Sequence, residues 1–240
     1  FGVLALAGSG FMIWALIRLP ETLAPENRLP IRFGRIAEAF RAVLSDRLSV
    51  GYTLAMTAIT GALFAFINSS QQIFFDVFQQ PGLFTTVFGL MAAGIAVASL
   101  TNARLVERLG SRRLSHLALI GFITSAAVHA GVALSGNESL ISFAVLQGLT
   151  MFCFGFIAGN FGALAMNNMG RIAGTASSVQ GFVSTTFGSL TGFLIGQSFD
   201  GTAAPMTIGI TTCGILALVA VMVAERGKLF STVETKIRPA

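Results

Sequence analysis

Residues 84–135 read FTTVFGLMAAGIAVASLTNARLVERLGSRRLSHLALIGFITSAAVHAGVALS: two apolar stretches joined by a short basic segment. Each stretch, 84–104 and 114–135, is long enough to cross a hydrocarbon layer about 30 Å thick, which takes roughly 20 helical residues. Between them Arg104, Arg108, Arg112 and Arg113 crowd together. The pattern repeats outward in both directions, with further apolar stretches at about 1–17, 48–69, 140–164, 173–197 and 205–225. All 15 Lys and Arg residues fall at 18–47, 104–113, 171 or 226–238, which are alternate connections. The remaining connections carry only Asp76, Glu138 and Asp200. Such a bias fixes the orientation of a polytopic membrane protein, because basic connections stay on the cytoplasmic side. The expected fold is therefore an all-α membrane bundle of six spans and part of a seventh.

Composition agrees. Mean hydropathy is +0.79 and only 10% of residues are charged, against about a quarter in soluble domains. No Asp, Glu, Lys or Arg occupies the middle of a stretch. One placed there costs about 2.5–3.5 kcal/mol on insertion scales. A barrel would alternate apolar and polar residues, and runs such as Leu216–Val223 do not. The net charge of +5 and the pI of 10.2 thus report topology, with no nucleic-acid partner implied. Residue 1 is Phe, already inside an apolar stretch with no charged n-region, so a severed helix is expected there in place of a signal peptide. Cys153 and Cys213 lie inside spans and read as small apolar fillers.

The segment 18–47 holds six basic and four acidic residues and opens with Pro20, Pro25 and Pro30. Within it Ile36, Phe40, Val43 and Leu44 recur at helical spacing, as in a short amphipathic helix on the cytoplasmic membrane face or a partly ordered linker. The later connections, 105–113, 136–139, 165–172 and 198–204, are tight, and Pro81-Gly82 signals a turn within 70–83. Tight loops predict that successive helices are antiparallel neighbours. The domain plan is a truncated helix 1–17, a cytoplasmic segment 18–47, a six-helix domain 48–225 and a cytoplasmic tail 226–240. Gly188, Gly192 and Gly196 share one helix face, and Gly155, Gly159 and Gly162 repeat the pattern, which predicts close helix contacts.

Three strings together point to a family: RLPETL at 18–23, NARLVERLGSRR at 102–113 and GRIAGTASSVQGF at 170–182. The ensemble resembles the drug-resistance (Bcr/CflA) branch of the major facilitator superfamily, in the half that follows the sixth helix. The second string is similar to the superfamily's cytoplasmic loop, with Ala103 at its first Gly, Glu107 at its Asp and Ser111 at a basic position. Glu107, Arg108, Gly110, Arg112 and Arg113 are then the candidate conformational loop. On physical grounds these charges can pair with carboxylates or with helix carbonyl ends, or they serve topology alone.

Candidate substrate-facing residues come from polar stripes. Thr53, Thr57, Thr60, Phe64, Asn68 and Gln71 lie on one helix face, and Gln180, Ser184, Phe187, Thr191 and Ser198 repeat the arrangement. Uncharged polar groups avoid lipid, so they face a watered cavity or another helix. An aromatic ring among them suits an amphipathic organic substrate. The resemblance adds Gln147, Met151 and Phe154, since the corresponding helix of the family lines the central cavity.

The function this implies is half of a secondary transporter that exports amphipathic small molecules across the bacterial inner membrane. Protons would be the coupling ion and a missing N-terminal six-helix half the partner. The resemblance places the coupling carboxylates in that other half; His129, near an outer helix end where water is expected, is the weaker candidate. A neutral-nutrient importer on the same fold, or a non-catalytic half-protein associating with a transporter, are the alternatives. Enzyme chemistry is not expected, because the two His residues read as isolated and no carboxylate lies within a span. No cofactor or metal is implied.

Overall fold

The computed structural model describes residues 1–20 and 33–230, in two units, Phe1–Ala37 and Glu38–Ala240. Glu21 to Leu23, Pro25, Pro30 and the tail from 231 onward lie outside the described residues. The first unit contains α1 (Gly2–Arg18), apolar until the Arg18 of its last turn. Helix α2 (Phe33–Ser45) runs across the boundary. Its final turn buries Val43 against Met169, Ala176 and Val179.

The second unit continues with α3 (Arg47–Gln72), α4 (Pro81–Leu109), α5 (Ser111–Leu134), α6 (Leu140–Ala165), α7 (Ala173–Gln197) and α8 (Ala204–Ala224). With α3 extended by the π-helical turn Ile73–Val77, five of these are long and apolar enough to cross a membrane. The exception is α7, which has the length but carries Gly, Ser and Thr through most of its turns. The protein is a polytopic helical membrane bundle.

Local chemistry sets the helix ends. Asp46 caps α3, its Oδ1 accepting from the Ser49 amide at 2.7 Å. Ser139 and Ser142 form a reciprocal capping box at the start of α6. Before α8, the hydroxyl and amide of Thr202 donate to Asp200, and these hydrogen bonds hold its exposed carboxyl below the usual carboxylate range. Pro81 departs from the expected turn and opens α4 instead, where its missing N–H costs nothing. The expected loop 105–113 shrinks to Gly110 alone, with φ 77° and ψ 150°. Only glycine adopts that conformation readily, and it lets α4 and α5 reverse direction within one residue.

Helix α3 is the hub and packs against α7, α8 and α6, while α4 and α5 both pack on α6. The expectation that successive helices pack together holds extensively only for α5 and α6. A tight turn brings helix ends together, but contact along the length follows small residues. The Gly188, Gly192 and Gly196 face of α7 lies on α3, where a Cβ added at Gly192 would stand 2.3 Å from Phe64 Cβ. Gly51 of α3 meets Ala224 of α8, and Gly155 of α6 meets Ala98 and the Ile95 carbonyl of α4. Gly159, expected to share that role, faces open space. Tyr52, Ile59, Phe122, Met151, Phe161 and Ile210 are among the side chains filling the common core.

Candidate functional site

The polar stripe of α3 is distributed between two environments. A Cβ at Gly188 would come 2.8 Å from Thr60 Cγ2, and one at Gly196 would come 3.1 Å from Asn68 Cβ. Thr60, Phe64 and Asn68 therefore stand at the α3–α7 contact, where glycine admits their side chains. Thr57 lies off this seam, lining a groove between α3 and α8. Its Oγ1 donates to the Thr53 carbonyl at 2.8 Å. Thr53 itself is buried and its hydroxyl has no partner among the described residues. Of the α7 stripe, Gln180 and Ser184 are buried while Phe187 is 52% exposed. Ser184 donates to the Gln180 carbonyl, Thr191 to Phe187 and Ser198 to Ile195. Hydroxyls of membrane helices often satisfy themselves in this way.

On α6, Gln147, Met151 and Phe154 are buried, the last two within the hydrophobic core. Gln147 Nε2 is buried and lacks a hydrogen-bond partner among the described residues. Gln180 Nε2 approaches α6 at Gly162, 3.8 Å from where a Cβ would sit. The structure thus brings Thr60, Phe64 and Asn68 to α7, and Gln180 to α6.

The second constellation sits where α4 gives way to α5. Glu107 and Arg108 end α4, and Arg112 and Arg113 begin α5. Only Arg112 turns inward: its Nε donates to Glu225 Oε1 at 2.6 Å, with the two side chains 14% and 7% exposed. The same oxygen accepts from the Tyr52 hydroxyl at 2.7 Å, and Tyr52 lies 2.9 Å from His116 Nε2. The Phe230 amide donates to His116 Nδ1 at 3.2 Å. A nitrogen that accepts bears no hydrogen, so His116 is the neutral Nε2–H tautomer. The chain of donors is then complete: His116 Nε2–H to Tyr52, Tyr52 O–H to Glu225, and Arg112 to Glu225. It ties α3, α5 and the end of α8 together and clasps the segment after α8, with Phe230 edge-on to His116 at 5.7 Å. Arg104, Arg108 and Arg113 remain exposed and make no ion pair among the described residues.

The histidines are not isolated, contrary to the sequence expectation. At the far end of α5, His129 is 1% exposed and its Nε2 lies 2.5 Å from Glu138 Oε1. Phe143 packs edge-on to the ring at 5.3 Å. Water was expected to reach His129, but the α5–α6 turn folds Glu138 over it. No group of His, Cys, Asp and Glu suited to hold a metal ion occurs among the described residues. Sequence reading missed Tyr52, His116 and Glu225. The one available signal was a carboxylate closing an uncharged span.

Comparison with known proteins gives the chain two relatives. It is 27% identical over 207 residues to an uncharacterized MFS-type transporter, YdgK, of Bacillus subtilis, covering 86% of the chain and 51% of the relative. It is 27% identical over 224 residues to a bicyclomycin resistance protein homolog of Haemophilus influenzae, covering 92% of the chain and 55% of the relative. No family model matches, and no solved structure matches. The chain spans about half the length of each relative. Over most of its own length the chain is therefore similar to an MFS-type transporter and to a bicyclomycin resistance protein homolog.

Proposed function

We propose that the chain is the C-terminal half of a proton-coupled exporter of amphipathic small molecules in the bacterial cytoplasmic membrane. The observation that carries this reading is the similarity to an MFS-type transporter and to a bicyclomycin resistance protein homolog, over most of the chain but half of each relative. The six-helix domain 48–225 rocks against a second six-helix half about a central site, exposing it alternately to each side. Thr60, Phe64, Asn68, Gln147, Gln180, Ser184 and Phe187 contribute a neutral, partly aromatic wall for the substrate, with Met151 and Phe154 in the core that supports it, while Thr57 turns to the α3–α8 groove instead. The unpartnered amide of Gln147 supports this, since a buried donor without a partner is costly unless something else accepts from it.

The loop residues divide their work in this reading. Arg112 is committed to Glu225 and keeps one half rigid, while Glu107, Arg108 and Arg113 are exposed and meet the opposing half in one state only. Gly110 keeps the two groups adjacent. The carboxylates that bind protons belong to the other half.

Expression from the complete reading frame, including any sequence upstream of Phe1, tests the proposal. Energised cells should accumulate less ethidium, and a protonophore should abolish the difference. Residues 1–240 alone should not reduce accumulation. Unchanged accumulation of bicyclomycin and a panel of amphipathic dyes would contradict the reading, as would proton-driven efflux by residues 1–240 alone.

A further inference from the structure

Helices α7 and α8 both pack on α3 yet scarcely touch each other. Between them lies a groove of about 720 Å³ floored by α3, in the size range of small-molecule sites. Leu54 and Ala58 of α3 and Leu216, Val219 and Val223 of α8 line it, and all but Ala58 are more than half exposed. Arg47 and Ser45 stand at its end. A trough lined in this way forfeits dispersion contacts along its whole lining unless something apolar fills it.

We propose that this groove binds an anionic phospholipid, one acyl chain lying along α3 and the phosphate held by Arg47. Three features of the groove select that occupant. Its three hydroxyls are already used, since Ser45 Oγ donates to the Arg41 carbonyl at 2.7 Å, and Thr57 Oγ1 and Thr191 Oγ1 donate to the Thr53 and Phe187 carbonyls, both at 2.8 Å. Apart from Arg47 at its end, the groove therefore offers a polar drug no open donor, whereas a hydrocarbon chain needs none.

The charge is also available. Asp46, the adjacent carboxylate, is engaged elsewhere, accepting from the Ser49 amide and from Asn168 Nδ2 at 2.8 Å. Arg47 has no ion-pair partner among the described residues. A guanidinium at the interface is a strong ligand for phosphate, and the cytoplasmic leaflet is where anionic lipids gather. Placing Arg47 at that leaflet rests on the cytoplasmic placing of the basic connections, which the export reading shares.

The length fits as well. From Arg47 to Ala58 an α-helix rises about 16 Å, and from Val223 back to Cys213 about 15 Å. Each equals about half the hydrocarbon thickness, the depth of one leaflet.

The test uses the chain in nanodiscs of phosphatidylglycerol and phosphatidylcholine in equal amounts, with retained lipid counted by native mass spectrometry after mild detergent release. The wild type should retain phosphatidylglycerol about fivefold over phosphatidylcholine, the effect of one cation at an anionic surface. Arg47→Gln should bring the ratio close to one, and Ala58→Phe should lower retention of both lipids. Equal retention by the wild type, or a ratio unchanged in Arg47→Gln, overturns the proposal. A second readout needs no variant: phosphatidylglycerol carrying a mid-chain diazirine is photocrosslinked to the wild type. Labels should concentrate at 54–58 and 216–220; labelling as heavy at Leu90, Val97 and Leu100 of α4 means ordinary boundary lipid and overturns the site. Neither readout involves transport, so a failure here is distinct from a failure of the export reading.

Discussion

Glu225 closes α8 and collects two donors from helices far away in sequence, Tyr52 of α3 and Arg112 of α5. Removing one partner of such a pair strands the other with little solvent to replace it. Glu225→Ala should destabilise the protein by about 3–5 kcal/mol, read as a lower midpoint of thermal unfolding in detergent. Arg113→Ala, on the next residue and exposed, should leave that midpoint unchanged. Equal effects would show that Arg112 has no special role. Gly110→Ala forces a side chain into a conformation that costs about 1–3 kcal/mol, and the same unfolding assay should detect it. Arg112 was legible as a charge seeking a partner, and Gly110 as the turn residue. The identity of the partner was not legible, because 113 residues separate Arg112 from Glu225 and only the fold brings them together.

At the scale of elements, the glycine face of α7 determines which helix it meets. A Cβ at Gly192 would approach the Phe64 carbonyl carbon to 2.6 Å, and backbone cannot move aside as a flexible side chain can. Gly192→Ala should therefore cost about 1–3 kcal/mol, the usual penalty of overpacking. Gly159→Ala, where nothing lies within 4 Å, should be neutral or slightly stabilising because alanine favours the helix. Denaturation of both variants in mixed micelles would check the contrast. The sequence displayed the helical spacing of both glycine sets but not their partners. It also made neighbours of helices joined by tight turns, since turn length constrains only where a helix starts. The stripe Thr60, Phe64 and Asn68 illustrates the ambiguity: a polar face that avoids lipid is equally well satisfied by a cavity or by a glycine-rich helix.

For the whole molecule, the helical spans were legible because hydrocarbon imposes length and excludes charge, constraints written into every stretch. Helix α7 was harder, since its apolar character is diluted by the residues that let it lie against α3. Orientation rests on the distribution of charge between alternate connections, and the transporter reading rests on orientation. The most direct measurement labels single cysteines from each side of the membrane. With Cys153→Ala and Cys213→Ala as background, Arg113→Cys and Asn137→Cys place a thiol at exposed positions near opposite ends of α5. In intact cells an impermeant maleimide should label position 137 and not position 113, which should react only after permeabilisation. Labelling of both positions from the same side would contradict the account.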